Sequence, residues 1–430
     1  MKDLDILTPD GKLLFTTRIA RLFSYGFLSV VLVLYLVQVG LTEAKIGLLL
    51  TLTLVGDTLI SLWLTTNADR LGRKRMLIVG AGLMVFAGVL FALTGNFITL
   101  LVAATIGVIS PSGYEVGPFL AIEQASLTQV LPGARRTQVF AWYNLVGSFA
   151  TALGSLCGGG LSQAFQNAGI PILESYRVVI VGYALMGIVL AVLFSRLSSR
   201  VEVSTFSQTS SSPSLRQNWL GLHRSRPIVL RLAGLFSLDA FAGGFVVQSI
   251  VAYWFHKRFG VEPALLGGIF FGANILAGIS ALSAVNVAKR IGLINTMVFT
   301  HIPSNILLIL VPLMPNLPLA IGMLLLRFSI SQMDVPTRQS YTMAVVEPDE
   351  RSSAAGVTGI ARTIGASLSP VFTGQMLANP ALLGLPFIIS GALKIVYDLV
   401  LYHSFQTVKP PEEKAVQENT KKPPAKPESG

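Results

Sequence analysis

The chain has 430 residues, of which 52% are hydrophobic and 12% charged, and its net charge is +11 at pH 7. Soluble domains carry about a quarter charged residues, so the composition excludes a water-soluble protein over most of this length. The single cysteine, Cys157, excludes a disulfide within the chain, and no Cys/His pattern typical of a zinc site is present.

Twelve apolar runs follow one another along the chain, each close to the roughly 20 residues that a helix needs to cross a bilayer. They are too long for barrel strands and lack a period of two, so we expect an all-α membrane protein. The polar start "MKDLDILTPDGKLL" has no cleavable signal peptide, which makes the first run a retained helix. The predicted helices lie at 13–38, 46–66, 76–95, 98–130, 138–163, 177–197, 227–256, 264–288, 293–313, 318–346, 354–377 and 381–405.

Two polar segments divide the chain into domains. Residues 198–226 are rich in serine and predict a flexible cytoplasmic linker, so residues 1–197 form an N-terminal six-helix bundle and residues 227–405 a C-terminal one. Residues 406–430 are a Pro/Lys/Glu segment that cannot build a core, and we expect a disordered cytoplasmic tail.

The positive charges are concentrated on one side of the predicted bundle. By the positive-inside rule that side is cytoplasmic, together with both termini, and we expect the plasma membrane around it. Membrane topology thus explains the net charge, and we expect no nucleic-acid partner. The opposite side carries little beyond Lys45, Lys257 and Arg258. The basic side holds Arg70, Arg73, Lys74, Arg75, Arg135, Arg136, Arg200, Arg216, Arg224, Arg226, Lys289, Arg290 and Arg351.

The two halves of the chain resemble each other. Four short matches occur in the same order at nearly one offset, which predicts two six-helix bundles related by an axis along the membrane normal, with a cavity between them. The matches are "GLTEAKIG" (40–47) with "GVEPALLG" (260–267), "ADRLG" (68–72) with "AKRIG" (288–292), and Arg135 with Arg351. In the fourth match, Arg18 corresponds to Arg231, and "LFS" follows both of these arginines, at 22–24 and 235–237.

The stretch "TTNADRLGRKRML" (65–77) places one acid and four bases between two apolar runs. The bases hold the loop on the cytoplasmic side, but topology alone gives the acid, Asp69, no role. The stretch resembles the signature loop of the major facilitator superfamily, G-x-L-A-D-R-x-G-R-[RK]. Thr65 and Asn67 stand where the family has glycine and leucine, and the matching residues are Asp69, Arg70, Gly72, Arg73 and Lys74.

The resemblance extends over the whole chain, with twelve helices, a repeat of six and a long central loop. It implies the fold of that family and a conformational latch. Asp69 would pair with bases of its loop and face the N-terminus of a helix in the other half, whose dipole favours a negative charge. These contacts would close the cytoplasmic side in one state and break in the other. Gly72 permits the tight reversal of the chain, and Lys289 in place of the acid leaves the second copy degenerate.

Ionisable side chains inside apolar runs are costly and are functional candidates by default. Two of the runs that carry them are interrupted at matching places, the fourth by "SPSG" and Pro118 and the tenth by Pro336, and such paired breaks point to a transporter's central site. We therefore predict that the substrate and proton site is built from Asp57, Glu123, Gln124, Asp239, Arg327, Asp334, Arg338 and Gln339.

Structural roles stay open for several of these residues. Glu123 and Arg338 belong to the site or form an ion pair between the halves, and Glu123 is alternatively a gate residue. Asp57 binds a proton or pairs with an arginine of the first helix. Asp239 has no obvious partner, which leaves proton or substrate binding open, whereas Arg327 is expected to pair with a neighbouring acid or carbonyl.

The sequence favours a proton-coupled secondary transporter that exports small drug-like or toxic compounds by alternating access. Membrane carboxylates can exchange a proton for substrate. Gly154, Gly158 and Gly159 match a glycine motif of antiporters in the superfamily, with Ser155 in place of its proline. No nucleotide loop, metal-ligand set or nucleophile elbow is visible, so we expect neither an enzyme nor a cofactor. The expected partners are a small-molecule substrate, a proton or other coupling ion, and the lipid bilayer around a monomer.

Two other functions remain open. The same fold serves importers and uniporters, and Arg327 and Arg338 would suit an anionic substrate. A membrane scaffold without transport activity is less favoured, because a scaffold has no need for so many charges within the membrane.

Overall fold

The computed structural model of the protein describes residues 8–115, 117–130, 136–202, 222–347 and 349–408. Arg135 and most of the predicted linker and tail lie outside the described residues. The described residues form sixteen α-helices and no strand, which confirms the predicted all-α class. The first half holds α1 (Pro9–Ser29), α2 (Leu32–Gln38), α3 (Glu43–Leu71), α4 (Arg73–Leu93), α5 (Phe97–Ile106), α6 (Phe119–Val130), α7 (Arg136–Asn167) and α8 (Ile172–Ser195). The second half holds α9 (Arg226–Gly244), α10 (Gln248–Phe259), α11 (Pro263–Ile291), α12 (Leu293–Leu310), α13 (Leu317–Ser331), α14 (Asp334–Val345), α15 (Arg351–Ala378) and α16 (Leu385–Phe405).

These helices make a set of spans consistent with the twelve predicted. Nine helices or joined helix pairs in the described part of the chain are long and apolar enough to cross a membrane, and the bent pair of α1 and α2 makes ten. The broken pair of α5 and α6 and the long helix α15 complete the set. α15 is rich in serine, threonine and glycine, and it packs against α3 and α9. Its polar composition therefore suits a helix held between protein neighbours.

Four spans are broken into two helices each, and the sequence predicted a break in two of them, the fourth and the tenth. The first span bends by 42° between α1 and α2. The fourth has no helix over the described residues 107–115 and 117–118, where Gly113 and Gly117 adopt φ of +71° and +79°, angles that glycine reaches without strain. The tenth breaks just before Asp334 and not at Pro336, because proline fits the first turn of the helix that follows.

The two halves meet through two pairs of long helices, α3 with α15 and α7 with α11. Glycines allow the backbones to touch. A Cβ atom on Gly47 would lie 2.5 Å from the carbonyl oxygen of Pro370, and one on Gly267 would lie 2.7 Å from that of Ser155. Small residues at crossing points are the usual means of close helix packing in membranes. Both contacts lie toward the same end of the molecule.

A buried polar contact strengthens this junction. Gln248, at the start of α10, donates to the hydroxyl of Ser29 at 2.8 Å and to that of Ser155 at 3.1 Å, both in the first half. Asn274 donates to the amide oxygen of Gln248 at 3.1 Å. The backbone N–H of Ser249 also donates to the carbonyl oxygen of Pro111, at 3.0 Å, in the broken fourth span. The breaks in spans one, four and seven therefore meet where the halves touch.

Candidate functional site

The first half contains a buried cluster of two arginines and two glutamates. α1 carries Arg18 and Arg21 three residues apart, so both side chains leave the same face of the helix. Arg21 binds Glu123 through two N–H···O bonds of 2.7 and 2.8 Å and contacts Glu115 at 2.7 Å. Arg18 pairs with the other oxygen of Glu115 at 2.9 Å and donates to the carbonyl oxygen of Tyr143 at 2.7 Å. Three spans are joined by this cluster.

The charges of this cluster cancel, two positive against two negative. The Glu123 carboxylate also accepts the hydroxyls of Thr17, at 2.7 Å, and Tyr143. Arg21 and Glu123 are fully buried, and charges so far from water are tolerable only when paired and hydrogen-bonded. Glu123 thus lies in an ion network within its own half. The alternative ion pair between Glu123 and Arg338 is wrong, because Arg338 binds acids of the second half.

Asp57, in the middle of α3, has a different environment. Its carboxylate accepts the backbone N–H of Gly117 at 2.6 Å, and the hydroxyl of Ser61 lies 3.4 Å from the same oxygen. No cation among the described residues lies within ion-pair distance of it. Arg18 and Arg21, the arginines of the first helix that were alternative partners, are occupied by glutamates. Asp57 therefore links α3 to the break in the fourth span without being neutralised.

Asp239, on α9, is the centre of a second cluster. One oxygen binds Lys394 of α16, and the other binds Arg338 of α14 at 3.0 Å and Arg362 of α15 at 3.3 Å. Asp334 lies one turn before Arg338 and pairs with it at 3.0 Å. The expectation that Asp239 lacks a partner is therefore wrong, since three helices each bring it a cation.

The second cluster includes residues that the sequence analysis missed. His301 of α12 pairs with Asp398 at 2.8 Å, and Asn305 donates to the other oxygen of Asp398 at 3.0 Å. Lys394 and Asp398 lie four residues apart inside the twelfth apolar run, and Arg362 lies inside the eleventh. The sequence could have identified these residues, because each is a charged residue inside an apolar run, but that criterion was used only for the other spans.

Arg327, on α13, lies beside this cluster without joining it. Its Nε atom is buried and has no hydrogen-bond partner among the described residues, and its guanidinium lies 4.9 Å from the ring centre of Phe328. The carboxylate of Asp334 acts on its charge without forming an ion pair with it. The expected acid or carbonyl partner is not found within bonding distance in the described part of the chain.

The eight predicted site residues therefore do not form one group. Glu123 belongs to the first cluster, and Asp57 stands alone near it. Asp239, Asp334 and Arg338 belong to the second cluster, with Arg327 beside it. Two glutamines lie outside both clusters, Gln124 half-buried on α6 and Gln339 exposed on α14.

The predicted latch residues lie at the end of the molecule that we call the basic end, defined by the turn between α3 and α4. Asp69 binds Arg73 at 2.8 Å, and 62% of its side chain is exposed. Arg73 also donates to the side-chain oxygen of Gln129 at 2.8 Å. Glu202 accepts the backbone N–H groups of Arg73 at 2.7 Å and Lys74 at 3.1 Å. All of these partners belong to the first half or to the first residues of the segment that follows it.

The turn itself has the geometry expected of it. Gly72 ends α3 and begins α4 with φ of +102°, which favours glycine. Arg70 is exposed, and the ammonium of Lys74 donates to the carbonyl oxygen of Leu197 at 2.9 Å. Among the described residues, these side chains make no hydrogen bond or ion pair with the second half.

The second half is tied together at the basic end in a comparable way. Glu350 accepts the backbone N–H groups of His223, of Arg224 at 2.9 Å and of Ser225 at 2.7 Å, just before α9. Burial raises the pKa of this carboxyl group, but the hydrogen bonds from Ser225 and its neighbours outweigh that effect and lower the pKa to about 2. Glu350 therefore remains charged at physiological pH and fixes the loop within its own half.

The other end of the molecule carries an ion pair between the halves. Lys257 of α10 binds Glu43 of α3 at 2.5 Å and donates to the carbonyl oxygen of Leu377 at 2.8 Å. The hydroxyl of Tyr253 donates to Glu43 at 2.8 Å. We call Glu43, Tyr253 and Lys257 the clasp. The halves are therefore joined by charge at the clasp end, whereas the charged contacts of the basic end described above stay within each half.

The chain is similar to several known membrane proteins in sequence and in fold. The chain is 34% identical over 417 residues to an uncharacterised membrane protein of Saccharomyces cerevisiae, covering 91% of this chain and 93% of the relative. It is 23% identical over 256 residues to the quinolone resistance protein NorA of Staphylococcus aureus, covering 58% of this chain and 60% of NorA. A bacterial homologue of the human lysosomal transporter Spinster, solved inward-facing and unoccupied, superposes with a TM-score of 0.71 at 17% identity, over 93% of this chain and 97% of that one.

The family assignment rests on a match over most of the chain. The Major Facilitator Superfamily matches residues 14–370. This confirms the resemblance seen in the loop around Asp69. The chain therefore belongs to the Major Facilitator Superfamily, and it is an integral membrane transporter of the secondary kind and not an enzyme.

Proposed function

We propose that the protein is a proton-coupled transporter that exports small compounds by alternating access, with the basic end in the cytoplasm and Asp57 as the proton-binding group. The observation that carries this proposal is the environment of Asp57. It is a membrane carboxylate that accepts two hydrogen bonds and, in the described part of the chain, has no cation beside it.

The membrane carboxylates that bind arginines are poor proton carriers by comparison. Glu115 and Glu123 bind arginines, and Asp239 and Asp334 bind Arg338. Protonating any of them would leave a buried guanidinium without its partner, which is strongly unfavourable. Asp57 can gain or lose a proton without breaking an ion pair. Its hydrogen bond to the broken fourth span would weaken on protonation, and this span contacts the second half at the junction.

The contacts between the halves support alternating access. The clasp and the close glycine contacts join the halves at one end. At the basic end, Asp69 and Arg73 bind each other and, among the described residues, do not bind the second half. This arrangement fits a state that is open toward the cytoplasm. In the opposite state, Asp69 is free to face the N-terminus of a helix in the second half, as the family's loop implies.

Export is supported by the likeness to NorA, a quinolone resistance protein, and by the glycine-rich face of α7. Gly154 and Gly158 pack against the backbone of Phe23 and Phe27 in α1. A second candidate is the import of an anion. The observation that favours it is that three cations surround the single carboxylate of Asp239.

Transport and coupling can be tested together in liposomes that contain the purified full-length chain and a pH-sensitive dye. A panel of cationic, neutral and anionic compounds that includes a quinolone is added outside, and the initial rate of proton movement is recorded. We expect Asp57→Asn to lower the substrate-evoked proton rate at least about tenfold while exchange of labelled compound across the membrane continues. Glu174→Gln, which changes an exposed carboxylate on α8, is the matched control.

Two outcomes would contradict the proposal. Proton movement that persists in Asp57→Asn would remove this residue as the proton-binding group, and labelled exchange without any proton movement in the wild type would remove proton coupling. Direction is tested in cells. Loss of an exporter raises the cellular content of the transported compound, whereas loss of an importer lowers it.

A further inference from the structure

We infer that the second half holds a binding site for the negatively charged group of an organic anion, formed by Arg327 and Arg362 beside the second cluster. This inference rests on the proposed transport function and names the class of its substrate. It differs from the expectation drawn from the sequence, which assigned an anion to Arg327 and Arg338.

The ionisable side chains of this region leave a positive charge uncompensated. The cations are Arg327, Arg338, Arg362 and Lys394, four in number, and the carboxylates are Asp239, Asp334 and Asp398, three in number, so the sum of the charges is +1. His301 pairs with Asp398 and adds a further positive charge when protonated. A surplus charge at membrane depth is costly until a counter-ion neutralises it.

Arg338 is not the residue that needs this counter-ion. It binds Asp239 and Asp334, each at 3.0 Å, and its side chain is almost completely buried. It lacks the freedom to bind a substrate without breaking these pairs. Its role in the second cluster is the same as that of Arg21 in the first, a cation held between two carboxylates.

Arg362 has a weaker hold on its acid. It contacts Asp239 at 3.3 Å, on the oxygen that Arg338 already occupies, while Lys394 binds the other oxygen. In addition, 35% of the Arg362 side chain is exposed. Most of its five N–H donors are therefore free to bind a ligand.

Arg327 is the second open donor. It has no acid within ion-pair distance among the described residues, and its buried Nε atom has no hydrogen-bond acceptor there. A buried donor left unsatisfied keeps the full cost of its desolvation and is rare in native proteins. A ligand carboxylate or sulfonate would supply the missing acceptor, because guanidinium groups bind such anions through paired N–H···O bonds.

The neighbours of Arg327 indicate an anion with an apolar part. The guanidinium of Arg327 lies 4.9 Å from the ring centre of Phe328. An aromatic ring beside a guanidinium suits a planar or aromatic acid. An inside-negative membrane potential also drives an anion out of a cell, in agreement with export.

The test uses benzoate and its neutral amide, benzamide, with the purified full-length chain in detergent at constant ionic strength. We expect benzoate to raise the midpoint of thermal unfolding and benzamide to have a smaller effect. Arg327→Gln and Arg362→Gln should each weaken the apparent affinity for benzoate at least about tenfold, the loss expected for a charge-assisted contact. Arg327→Lys, which keeps the charge, should lose less. Arg177→Gln, which removes the half-buried arginine of an ion pair on α8, should leave the affinity unchanged.

Equal effects of benzoate and benzamide, including no effect of either, would overturn the inference. An unchanged response to benzoate in folded Arg327→Gln and Arg362→Gln proteins would overturn it as well. This binding assay does not depend on Asp57 or on proton movement. Proton-coupled transport of a cationic or neutral compound, with no preference for benzoate, would therefore reject the anion site and leave the proposed function standing.

Discussion

At the scale of single residues, the membrane-depth charges divide into those that hold the structure and those that are available for function. Arg21 and Glu123 are fully buried and bind each other through two hydrogen bonds. Asp57 has hydrogen bonds but no cation among the described residues, and Arg327 has neither an acid nor an acceptor for Nε there. Burial and pairing, not charge alone, therefore separate the two kinds of residue.

The paired carboxylate predicts a loss of stability when its charge is removed. In Glu123→Gln, the bidentate contact with Arg21 is lost, and the guanidinium keeps only Glu115 as an acid. Breaking a buried ion pair on one side costs about 3–5 kcal/mol. We expect the midpoint of thermal unfolding in detergent to fall markedly, and Glu174→Gln, at an exposed pair, to leave it nearly unchanged. An equally stable Glu123→Gln protein would argue that the pair is not structural.

The sequence revealed these residues but not their partners. A charge inside an apolar run can be read directly, and Asp57, Glu123 and Asp239 were all identified in that way. Which acid meets which base depends on contacts between helices far apart in the chain, such as Arg21 with Glu123, 102 residues later. Periodicity and hydropathy carry no information about such pairs, so three cations around Asp239 were not foreseen.

At the scale of helices, the breaks and the glycine contacts determine where function is located. The lengths of the apolar runs predicted the spans well, because the thickness of the bilayer sets how many apolar residues a spanning helix needs. The breaks were predicted only where proline or a glycine–proline cluster marked them. The bend between α1 and α2 and the interruption between α9 and α10 carry no such mark and depend on contacts with the other half, including those of Gln248.

The glycine contacts predict a shift in the balance between the two states of the transporter. A Cβ atom on Gly267 would lie 2.7 Å from the carbonyl oxygen of Ser155, whereas one on the neighbouring Gly268 would meet nothing within 4 Å. Overpacking costs about 1–3 kcal/mol, enough to move a two-state balance by about tenfold. Gly267→Ala should therefore favour separation at the clasp end, and Gly268→Ala should not.

Spin labels give the measurement. Lys45→Cys in the first half and Leu382→Cys in the second, both exposed near the clasp end, are labelled in a Cys157→Ser background, and the distance distribution is recorded. We expect Gly267→Ala to increase the population with the longer distance. Identical distributions for Gly267→Ala and Gly268→Ala would contradict a role for this contact in closing the halves.

At the scale of the whole molecule, the contacts between the two halves differ between its two ends. The repeat in the sequence predicted two bundles and a cavity, but it carries no information about which end is closed. Closure depends on a few contacts between the halves, chiefly the clasp and the polar contact of Gln248 with Ser29 and Ser155. The residues of the clasp lie 214 positions apart, so their pairing is a property of the assembled fold.

The clasp predicts that its charges hold one of the two states. Lys257 and Glu43 are about a quarter exposed, so the ion pair contributes about 0.2–1 kcal/mol, and salt weakens it. Lys257→Gln should open the clasp end by up to about fivefold in population at low salt, as measured between the labels at positions 45 and 382. Because the contribution is electrostatic, the exchanged pair Glu43→Lys with Lys257→Glu should recover part of the closed population, whereas Glu43→Lys alone should open the end further through repulsion between two ammonium groups. Closure that is insensitive to salt, or that the exchanged pair fails to recover, would mean that packing at Gly47 and Gly267 holds this end closed without help from charge.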